Sequence, residues 1–248
     1  MKYKNFSPDF WDQLSKALDQ ELKLNPKPVA AFDADGTLWD IDLGESFFKW
    51  QIQNSNLPHL PPDPWKHYRD WKASGDPRPA YLWLAQINQN QTLKQVQVWA
   101  EASVKFHEPL PIFPEQQKLV RWLLDQKVEV YVITASIKWA VEPGALRLGI
   151  PFENVLGVAT KVENGLVTHL QDGIITYREG KATALLEKTK GRRPFFASGN
   201  TMGDFALLES ASQLRLAVGA TSEDHELFAT EEKLRQEAKI RGWISHHF

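Results

Sequence analysis

The chain has 248 residues, a formal net charge of -2 and no cysteine. This length fits one large domain, or one core domain with a sizeable insertion. The small net charge gives no electrostatic reason to expect a nucleic acid or a membrane as partner. The missing cysteines exclude disulfides, zinc–cysteine sites and thiol nucleophiles. No window is apolar for long enough to cross a bilayer, and no signal peptide is visible, so we expect a cytoplasmic protein.

The most informative stretch is residues 29–39, which follow a predicted helix that begins at Ser7-Pro8 and ends at Asn25-Pro26. Four small or apolar residues lead into Asp33 and Asp35, and a Gly-Thr turn follows at once. This pattern predicts a short buried strand, and open α/β sheets bind ligands beyond the carboxyl ends of such strands. Two neighbouring acids at that place usually need a cation or a shared proton. The simpler interpretation is a strand that ends in a polar turn.

Residues 44–109 differ in composition from the rest of the chain. They are rich in Trp, Gln, Asn and Pro, and they show helical patterns but no strand pattern. We therefore predict a small helical cap inserted after the first core strand. Residues 1–43 and 110–248 are predicted to form the α/β core domain.

Strands alternate with helices in the second part of the chain. Apolar runs predict strands at 127–133, 155–158, 193–197 and 214–218. Asn164-Gly165 predicts a β-hairpin, and the residues from 221 onward are predicted to be helical. The alternation predicts an α/β fold with a Rossmann-like, mainly parallel sheet flanked by helices.

Chemically active side chains follow successive predicted strands. They are Asp33 and Asp35 after the first, Thr134 and Ser136 after the second, and Asn200 and Asp204 after the third, with Lys181 at the start of a helix between the last two. Carboxyl ends of parallel strands meet at one sheet edge, so these groups can share a site. Oxygen ligands suit magnesium, while a hydroxyl, an ammonium and backbone N–H groups suit a phosphate. Each residue alone has an ordinary role as a turn, cap or surface residue, but their joint order favours a site.

The order of these motifs resembles that of phosphatases of the haloacid dehalogenase-like superfamily. The matching motifs are Asp33-Ala34-Asp35-Gly36-Thr37-Leu38, Thr134, Lys181 and Gly199-Asn200-Thr201-Met202-Gly203-Asp204. One position departs from the pattern, because the family usually has Asp where this chain has Asn200. The resemblance covers essentially the whole chain, and the cap position and the hairpin look most like the phosphoserine phosphatase branch.

The resemblance implies a two-step hydrolysis of a phosphomonoester. Asp33 is expected to attack phosphorus and to form an aspartyl-phosphate. Asp35 is expected to protonate the leaving alkoxide and then to activate water, which requires a pKa near the working pH.

The resemblance also implies the remaining ligands of the site. The expected magnesium-binding residues are Asp33, Asp35 (through its backbone carbonyl), Asn200 and Asp204. The expected phosphate-binding residues are Thr134, Ala135 and Lys181. An amide oxygen can bind magnesium without a negative charge, so either Asp204 carries more of the binding or the metal is held more weakly.

The substrate is expected to be a small phosphorylated metabolite that carries an amine. In the phosphoserine phosphatase branch, an acid nine residues after the nucleophile contacts the amino group, and that position is Asp42 here. An arginine of the cap holds the substrate carboxylate in that branch, and Arg78 and Arg69 are candidates.

Tryptophans near the cap suggest an alternative substrate. They are Trp39, Trp50, Trp65, Trp71, Trp83 and Trp99. Aromatic faces attract quaternary ammonium groups, so a phosphocholine- or phosphoethanolamine-type phosphatase with an aromatic cap pocket is the competing hypothesis. The simpler interpretation is that these rings form the core and surface of the cap. A phosphotransferase, or a binding protein without activity on the same scaffold, also remains open.

Overall fold

The framework of the protein is a sheet of seven strands, given by a computed structural model that describes residues 3–58 and 60–248. The strands are β1 (Val29–Phe32), β2 (Glu129–Ile137), β3 (Val155–Glu163), β4 (Leu166–Asp172), β5 (Phe196–Gly199), β6 (Leu214–Gly219) and β7 (Ile244–His247). They lie in the order β4-β3-β2-β1-β5-β6-β7. All neighbouring pairs are parallel except β3 with β4. The predicted mainly parallel α/β fold is therefore confirmed.

Helices cover both faces of this sheet. They are α1 (Pro8–Leu24), α2 (Leu43–Asn54), α3 (Pro64–Ala73), α4 (Arg78–Gln86), α5 (Leu93–Lys105), α6 (Pro114–Asp125), α7 (Lys138–Arg147), α8 (Glu179–Lys188), α9 (Phe205–Ser210) and α10 (Phe228–Arg241). The helix predicted after Ser7 begins as expected, because the Ser7 side chain accepts a hydrogen bond from Phe10 N. None of the described helices is long and apolar enough to span a membrane.

The central strand β1 is buried on both faces, which explains its continuous apolar sequence. Ala30 and Phe32 belong to the apolar layer that β1 shares with α1, α6 and α7. Val29 and Ala31 point to the opposite layer, against α8 and α9. This double burial fixes β1 in the middle of the sheet, so the residues that follow it reach the centre of the sheet edge.

Helices α2 to α5 lie between β1 and β2 in the chain and share their own apolar cluster. Phe47, Tyr68, Leu84 and Val96 of these helices pack together with Trp139 of α7. This contact holds the four helices beside the carboxyl end of β2. The division into a core domain and a cap over residues 44–109 stays a prediction, and the observed bounds of α2 and α5 are compatible with it.

Several strand predictions differ from the structure in their bounds. The strand predicted at 193–197 lies at Phe196–Gly199 (β5), since Pro194 has no N–H to donate to a strand ladder, and the strand predicted at 155–158 extends to Glu163 (β3). The tail predicted as helical contains α10 but ends in β7, which pairs with β6. Its sequence is short and partly polar, so no strand pattern is visible in it. Strand β2 continues past Thr134 to Ile137 with an irregular register against β3. The predicted hairpin is present: Asn164 and Gly165 both have positive φ, 51° and 78°, as a tight turn of this kind requires.

Candidate active site

Most of the predicted site residues line one cavity of about 140 Å³ at the carboxyl ends of β1, β2 and β5. Those that line it are Asp33, Asp35, Asp42, Thr134, Ala135, Lys181, Asn200 and Asp204. They come from segments far apart in the chain. The parallel topology brings their groups together, as expected from strand ends that share one edge.

Asp33 follows β1 directly, and its backbone N–H donates to Ser198 O at 2.9 Å. Its Oδ1 accepts a bond from Lys181 Nζ at 2.5 Å, and its Oδ2 accepts one from Thr37 Oγ1 at 2.9 Å. Burial, together with the neighbouring Asp204, raises the pKa of Asp33 to about 7, and the Lys181 ammonium opposes this rise. A further cation in contact with Asp33 stabilises its ionised form, which is the nucleophilic one.

Lys181 joins two carboxylates at the base of the cavity. Its Nζ lies 2.5 Å from Asp33 Oδ1 and 2.5 Å from Asp204 Oδ1, and the residue is 3% exposed. Burial lowers the pKa of Lys181, but the charges of Asp204 and Asp33 outweigh it and the net pKa is raised. The side chain is therefore a fixed ammonium beside the candidate nucleophile.

Both oxygens of Asp204 are already engaged. Oδ1 accepts the bond from Lys181, and Oδ2 accepts bonds from Asn200 N at 3.1 Å and Thr201 N at 3.0 Å. Gly199 leaves room for this carboxylate, since a Cβ there would lie 2.4 Å from Asp204 Cβ. Asp204 thus anchors the loop after β5 and holds Lys181.

The Asn200 side chain presents its oxygen toward Asp33. Asn200 Oδ1 lies 3.3 Å from Thr37 Oγ1, whose single hydroxyl proton also points to Asp33 Oδ2. Asn200 Nδ2 donates to Glu231 Oε1 at 3.1 Å on the other side. The amide oxygen therefore keeps acceptor capacity on the side of the cavity.

The oxygen atoms around Asp33 fit a magnesium ion. Asp33 Oδ2 and Asn200 Oδ1 flank the same Thr37 hydroxyl, and hard oxygen donors of this kind are the ligands that Mg²⁺ prefers. Among the described residues, no three Asp, Glu, His or Cys side chains are arranged to hold a metal. The candidate set consists of a carboxylate, an amide oxygen and a backbone carbonyl rather than a cluster of acids.

The Asp35 side chain contacts the start of α2. Its Oδ1 accepts bonds from Trp39 Nε1 at 2.8 Å and Leu43 N at 2.9 Å, and its Oδ2 accepts one from Ser136 Oγ at 2.7 Å. Burial raises the pKa of Asp35 above its usual value, while these three bonds oppose the rise. A carboxyl group with a raised pKa in the cavity wall keeps its proton to a higher pH than a free aspartate does, as a group that gives and takes a proton must.

Asp42 lines the cavity and is the N-terminal cap residue of α2. Its side chain accepts a bond from Glu45 N at 2.7 Å. Burial and the charges of Asp35 and Glu45 raise the pKa of Asp42 well above its usual value. Asp42 is thus both the N-terminal cap of α2 and a residue of the cavity wall.

The cavity wall also carries charged and aromatic residues that the sequence did not single out. Lys72 Nζ lies 2.8 Å from Glu45 Oε1, and both side chains line the cavity. Burial lowers the pKa of Lys72, but the Glu45 carboxylate outweighs it, so the pKa is raised to about 12. The aromatic residues of the wall are Tyr68, Tyr81 and Tyr177.

The structure does not bring Arg78 or Arg69 into this cavity. The Arg78 guanidinium pairs with Asp76 at 2.8 Å and is 57% exposed, and Arg69 contacts Glu226 at the surface. The six tryptophans near the cap are all among the described residues, and none lines the cavity. Trp39 contacts the cavity only through its hydrogen bond to Asp35. The other five pack around the apolar cluster that α2 to α5 share.

Comparisons with known proteins give the family. The family model described as haloacid dehalogenase-like hydrolase matches residues 30–209. A phosphorylcholine phosphatase of Pseudomonas aeruginosa is 26% identical in an alignment of 182 positions, which covers 58% of this chain and 52% of that protein. The chain thus spans about half the length of this curated relative.

Two solved structures share the fold at low sequence identity. A protein with unknown function from Bordetella pertussis Tohama I has a TM-score of 0.72 and 17% identity, with 89% of this chain and 98% of that chain covered. A substrate-bound phosphoserine phosphatase complex has a TM-score of 0.56 and 14% identity, with 89% and 92% covered. The resemblance found in the motifs is confirmed at the level of family and fold: the chain belongs to the haloacid dehalogenase-like hydrolase family.

Proposed function

We propose that the protein is a magnesium-dependent phosphatase that hydrolyses a small, amine-bearing phosphomonoester through an aspartyl-phosphate on Asp33. The observation that carries the proposal is the position of the Asp33 carboxylate. It is buried at the end of β1 and held by Lys181 at 2.5 Å, and Asp35 and Thr134 line the same cavity. A carboxylate, an ammonium, a hydroxyl and a second carboxyl with a raised pKa are the groups that such a reaction needs.

The reaction runs in two displacements at phosphorus. In the first, an Asp33 oxygen attacks phosphorus, the ester P–O bond breaks, and Asp35 gives its proton to the leaving alkoxide. In the second, Asp35 takes a proton from water while the water oxygen attacks phosphorus. The bond between Asp33 and phosphorus then breaks, so inorganic phosphate leaves and both carboxyl groups return to their starting states.

Three groups hold the phosphoryl oxygens in this scheme. They are the Thr134 hydroxyl, the Ala135 backbone N–H and the Lys181 ammonium. Thr134 Oγ1 accepts a bond from Ser136 N at 3.0 Å, so its own proton is free to donate to a phosphate oxygen. Fixed donors of this kind stabilise the charge that develops in the transition state.

The cation would be held by Asp33, the Asp35 backbone carbonyl and Asn200, with Asp204 acting through the loop and Lys181. Both Asp204 oxygens already accept other bonds, which favours Asn200 as the direct ligand. Bound Mg²⁺ offsets the repulsion between a carboxylate and an incoming phosphate. The acids of the wall are Asp33, Asp35, Asp42, Glu45 and Asp204, against Lys72 and Lys181. This excess of acids supports the need for a cation.

The part of the cavity wall that carries Asp42, Glu45 and Lys72 supports an amine-bearing substrate. Asp42 and Glu45 offer carboxylates to an ammonium group, and Lys72 offers a charge to a carboxylate. The three groups together suit phosphoserine, which carries both. The cavity, of about 140 Å³, is small and suits a small phosphomonoester.

A choline- or ethanolamine-type phosphomonoester is the second candidate. Three tyrosine side chains line the wall, and aromatic faces bind substituted ammonium groups. The relative from Pseudomonas aeruginosa is named a phosphorylcholine phosphatase, which favours the same class. In this candidate the tyrosines take the place that the sequence assigned to tryptophans.

The test is release of inorganic phosphate from a panel of phosphoserine, phosphoethanolamine, phosphocholine and glycerol phosphate, each with Mg²⁺ and with chelator. We expect release that requires Mg²⁺ and favours the amine-bearing esters. Lys72→Met separates the candidates, because it should lower kcat/KM for phosphoserine and leave phosphoethanolamine and phosphocholine nearly unchanged. Transfer of the phosphoryl group to an added alcohol, without release into water, would identify a phosphotransferase instead.

A further inference from the structure

Glu231 of α10 lies directly behind Asn200, outside the cavity wall. It is 3% exposed, and its Oε1 accepts the bond from Asn200 Nδ2 at 3.1 Å. Its Oε2 accepts bonds from Ala220 N at 3.2 Å, Thr221 N at 3.2 Å and Thr221 Oγ1 at 2.7 Å. All four partners donate, so this carboxylate acts purely as an acceptor between the loop after β6 and the amide of Asn200.

This contact decides which end of the Asn200 amide faces the cavity. An amide has a donor end and an acceptor end, and only the NH₂ end can bond to a carboxylate. Glu231 therefore directs Asn200 Nδ2 away from the site and Oδ1 toward Thr37 and Asp33. Without this acceptor, the amide could turn its NH₂ group toward the position of the cation.

The backbone on both sides is shaped to fit the pair. Gly36 has a φ of 76°, and a Cβ on it would lie 2.1 Å from Asn200 Nδ2. A Cβ on Gly219 would lie 2.9 Å from Glu231 Oε2. Because these two positions carry no Cβ, the Asn200 amide and the Glu231 carboxylate can pack directly against the main chain.

We propose that Glu231 is a positioning residue that orients Asn200 Oδ1 toward the Mg²⁺ ion and supplies, from behind, the negative charge that Asn200 lacks. The inference rests on the proposed magnesium-dependent function. An aspartate at position 200 would set a carboxylate against Glu231 at the 3.1 Å of the present bond. Asn200 and Glu231 thus form a matched pair, which accounts for the departure from the usual Asp of the motif.

The test compares four proteins: wild type, Glu231→Gln, Asn200→Asp and the double variant. Mg²⁺ affinity is measured by calorimetry without substrate, and the unfolding temperature is measured in chelator. We expect Glu231→Gln to weaken Mg²⁺ binding by about 10–100-fold, as for other residues that orient a metal ligand. The introduced amide has a single acceptor oxygen. That oxygen cannot accept hydrogen bonds both from Asn200 Nδ2 and from the donors of Ala220 and Thr221.

The double variant gives the decisive comparison. Asn200→Asp should lower the unfolding temperature of the metal-free protein, because two carboxylates then face each other in a buried place. Adding Glu231→Gln to it should restore both the unfolding temperature and Mg²⁺ binding, because the amide introduced on α10 can donate to the carboxylate introduced after β5. Glu232→Gln is the matched control on the same helix, since Glu232 pairs with Arg235 near the surface.

Additive effects of the two substitutions, or wild-type Mg²⁺ affinity in Glu231→Gln, would overturn the inference. If Glu231→Gln does not fold, recovery of folding in the double variant still supports the pair, and its absence contradicts it. A wild type that neither binds Mg²⁺ nor releases phosphate contradicts the proposed function separately. In that case the unfolding temperatures in chelator still decide whether Asn200 and Glu231 are coupled.

Discussion

Trp39 donates its indole N–H to Asp35 Oδ1 at 2.8 Å, and the Trp39 side chain is completely buried. The two residues are four apart in the tight turn after β1. Together with Leu43 N and Ser136 Oγ, this bond fixes the Asp35 carboxyl group at the mouth of the cavity. Trp39 therefore acts in the site through Asp35, rather than as an aromatic face for the substrate.

Trp39→Phe should lower kcat for alkyl phosphates about tenfold or more with little change in KM. The substitution removes a hydrogen bond to the Asp35 carboxyl group, which contributes about 1.5–3 kcal/mol when that group is ionised, while the smaller phenyl ring keeps most of the apolar contacts. Steady-state kinetics on phosphoethanolamine checks this. Trp11→Phe, on α1 and far from the cavity, is the control and should leave both constants unchanged. A change in KM alone would contradict the role in positioning Asp35.

Asp35→Asn should separate the two chemical steps. An amide cannot protonate a poor leaving group, so hydrolysis of alkyl phosphates should fall by about 10²–10⁴-fold. p-Nitrophenyl phosphate needs little protonation, so its first step should persist while the second step fails for lack of a base. Rapid-mixing kinetics should then show a burst of p-nitrophenolate equal to the enzyme concentration. A linear time course that runs at the wild-type rate and shows no burst would contradict the assignment of Asp35 as acid and base.

Lys181→Met should remove activity and also destabilise the fold at neutral pH. The substitution leaves Asp33 and Asp204 as two buried carboxylates without their shared cation, and breaking a buried pair costs about 3–5 kcal/mol. Urea unfolding in chelator measures this loss, and added Mg²⁺ should recover part of it. Lys188→Met, at an exposed position of the same helix, is the control. Unchanged stability in Lys181→Met would show that the three groups are not an ionic unit.

Asp42→Asn should make the protein more stable at pH 7.5 and less active on amine-bearing esters. Burial holds the folded-state pKa of Asp42 above its unfolded value of about 3.9. The folded state therefore binds the proton more tightly, and stability falls as pH rises from the unfolded pKa through the folded pKa. An asparagine side chain does not ionise, so it causes no loss of stability as pH rises, and it can still cap α2.

The measurement is the unfolding temperature of wild type and Asp42→Asn between pH 3.5 and pH 8, in chelator. Because both side chains are neutral at low pH, the two curves should converge near pH 3.5 and diverge as pH rises. Each 1 kcal/mol corresponds to about 2–4 °C in a chain of this size. Asp63→Asn, an exposed cap of α3, is the control. A wild type that is the more stable protein at pH 7.5 would contradict the raised pKa of Asp42.

The residues at strand ends could be predicted from the sequence because one rule places them. A buried apolar run ends in polar groups, and parallel topology brings those groups to one edge. Asp33 after β1 and Asn200 after β5 line one cavity accordingly, together with Thr134, which lies inside β2 where its register against β3 becomes irregular. Lys181 could be assigned through the motif resemblance. The α/β fold followed from the alternation of strands and helices, whereas β7 was missed because four partly polar residues carry no strand signal.

The part of the cavity wall that α2, α3 and α4 supply could not be predicted, because it depends on how these helices pack over the sheet. Tyr68 and Lys72 are four residues apart on α3, a spacing that places them on one face, but the sequence does not say which face meets the cavity. The same applies to Glu231, whose contact with Asn200 depends on the packing of α10. Arg78 and Arg69 were candidates because the resembling branch uses an arginine of the cap, but no motif aligns them, and the structure places both at the surface. The cytoplasmic location stays a prediction.

The most direct measurement is phosphate release from phosphoserine, phosphoethanolamine and phosphocholine by wild type, Asp33→Asn and the exposed control Asp40→Asn, each with Mg²⁺ and with chelator. We expect release by wild type and Asp40→Asn that requires Mg²⁺, and a loss of at least about 10³-fold in Asp33→Asn, which removes the nucleophile. Equal rates for wild type and Asp33→Asn would contradict the formation of an aspartyl-phosphate on Asp33.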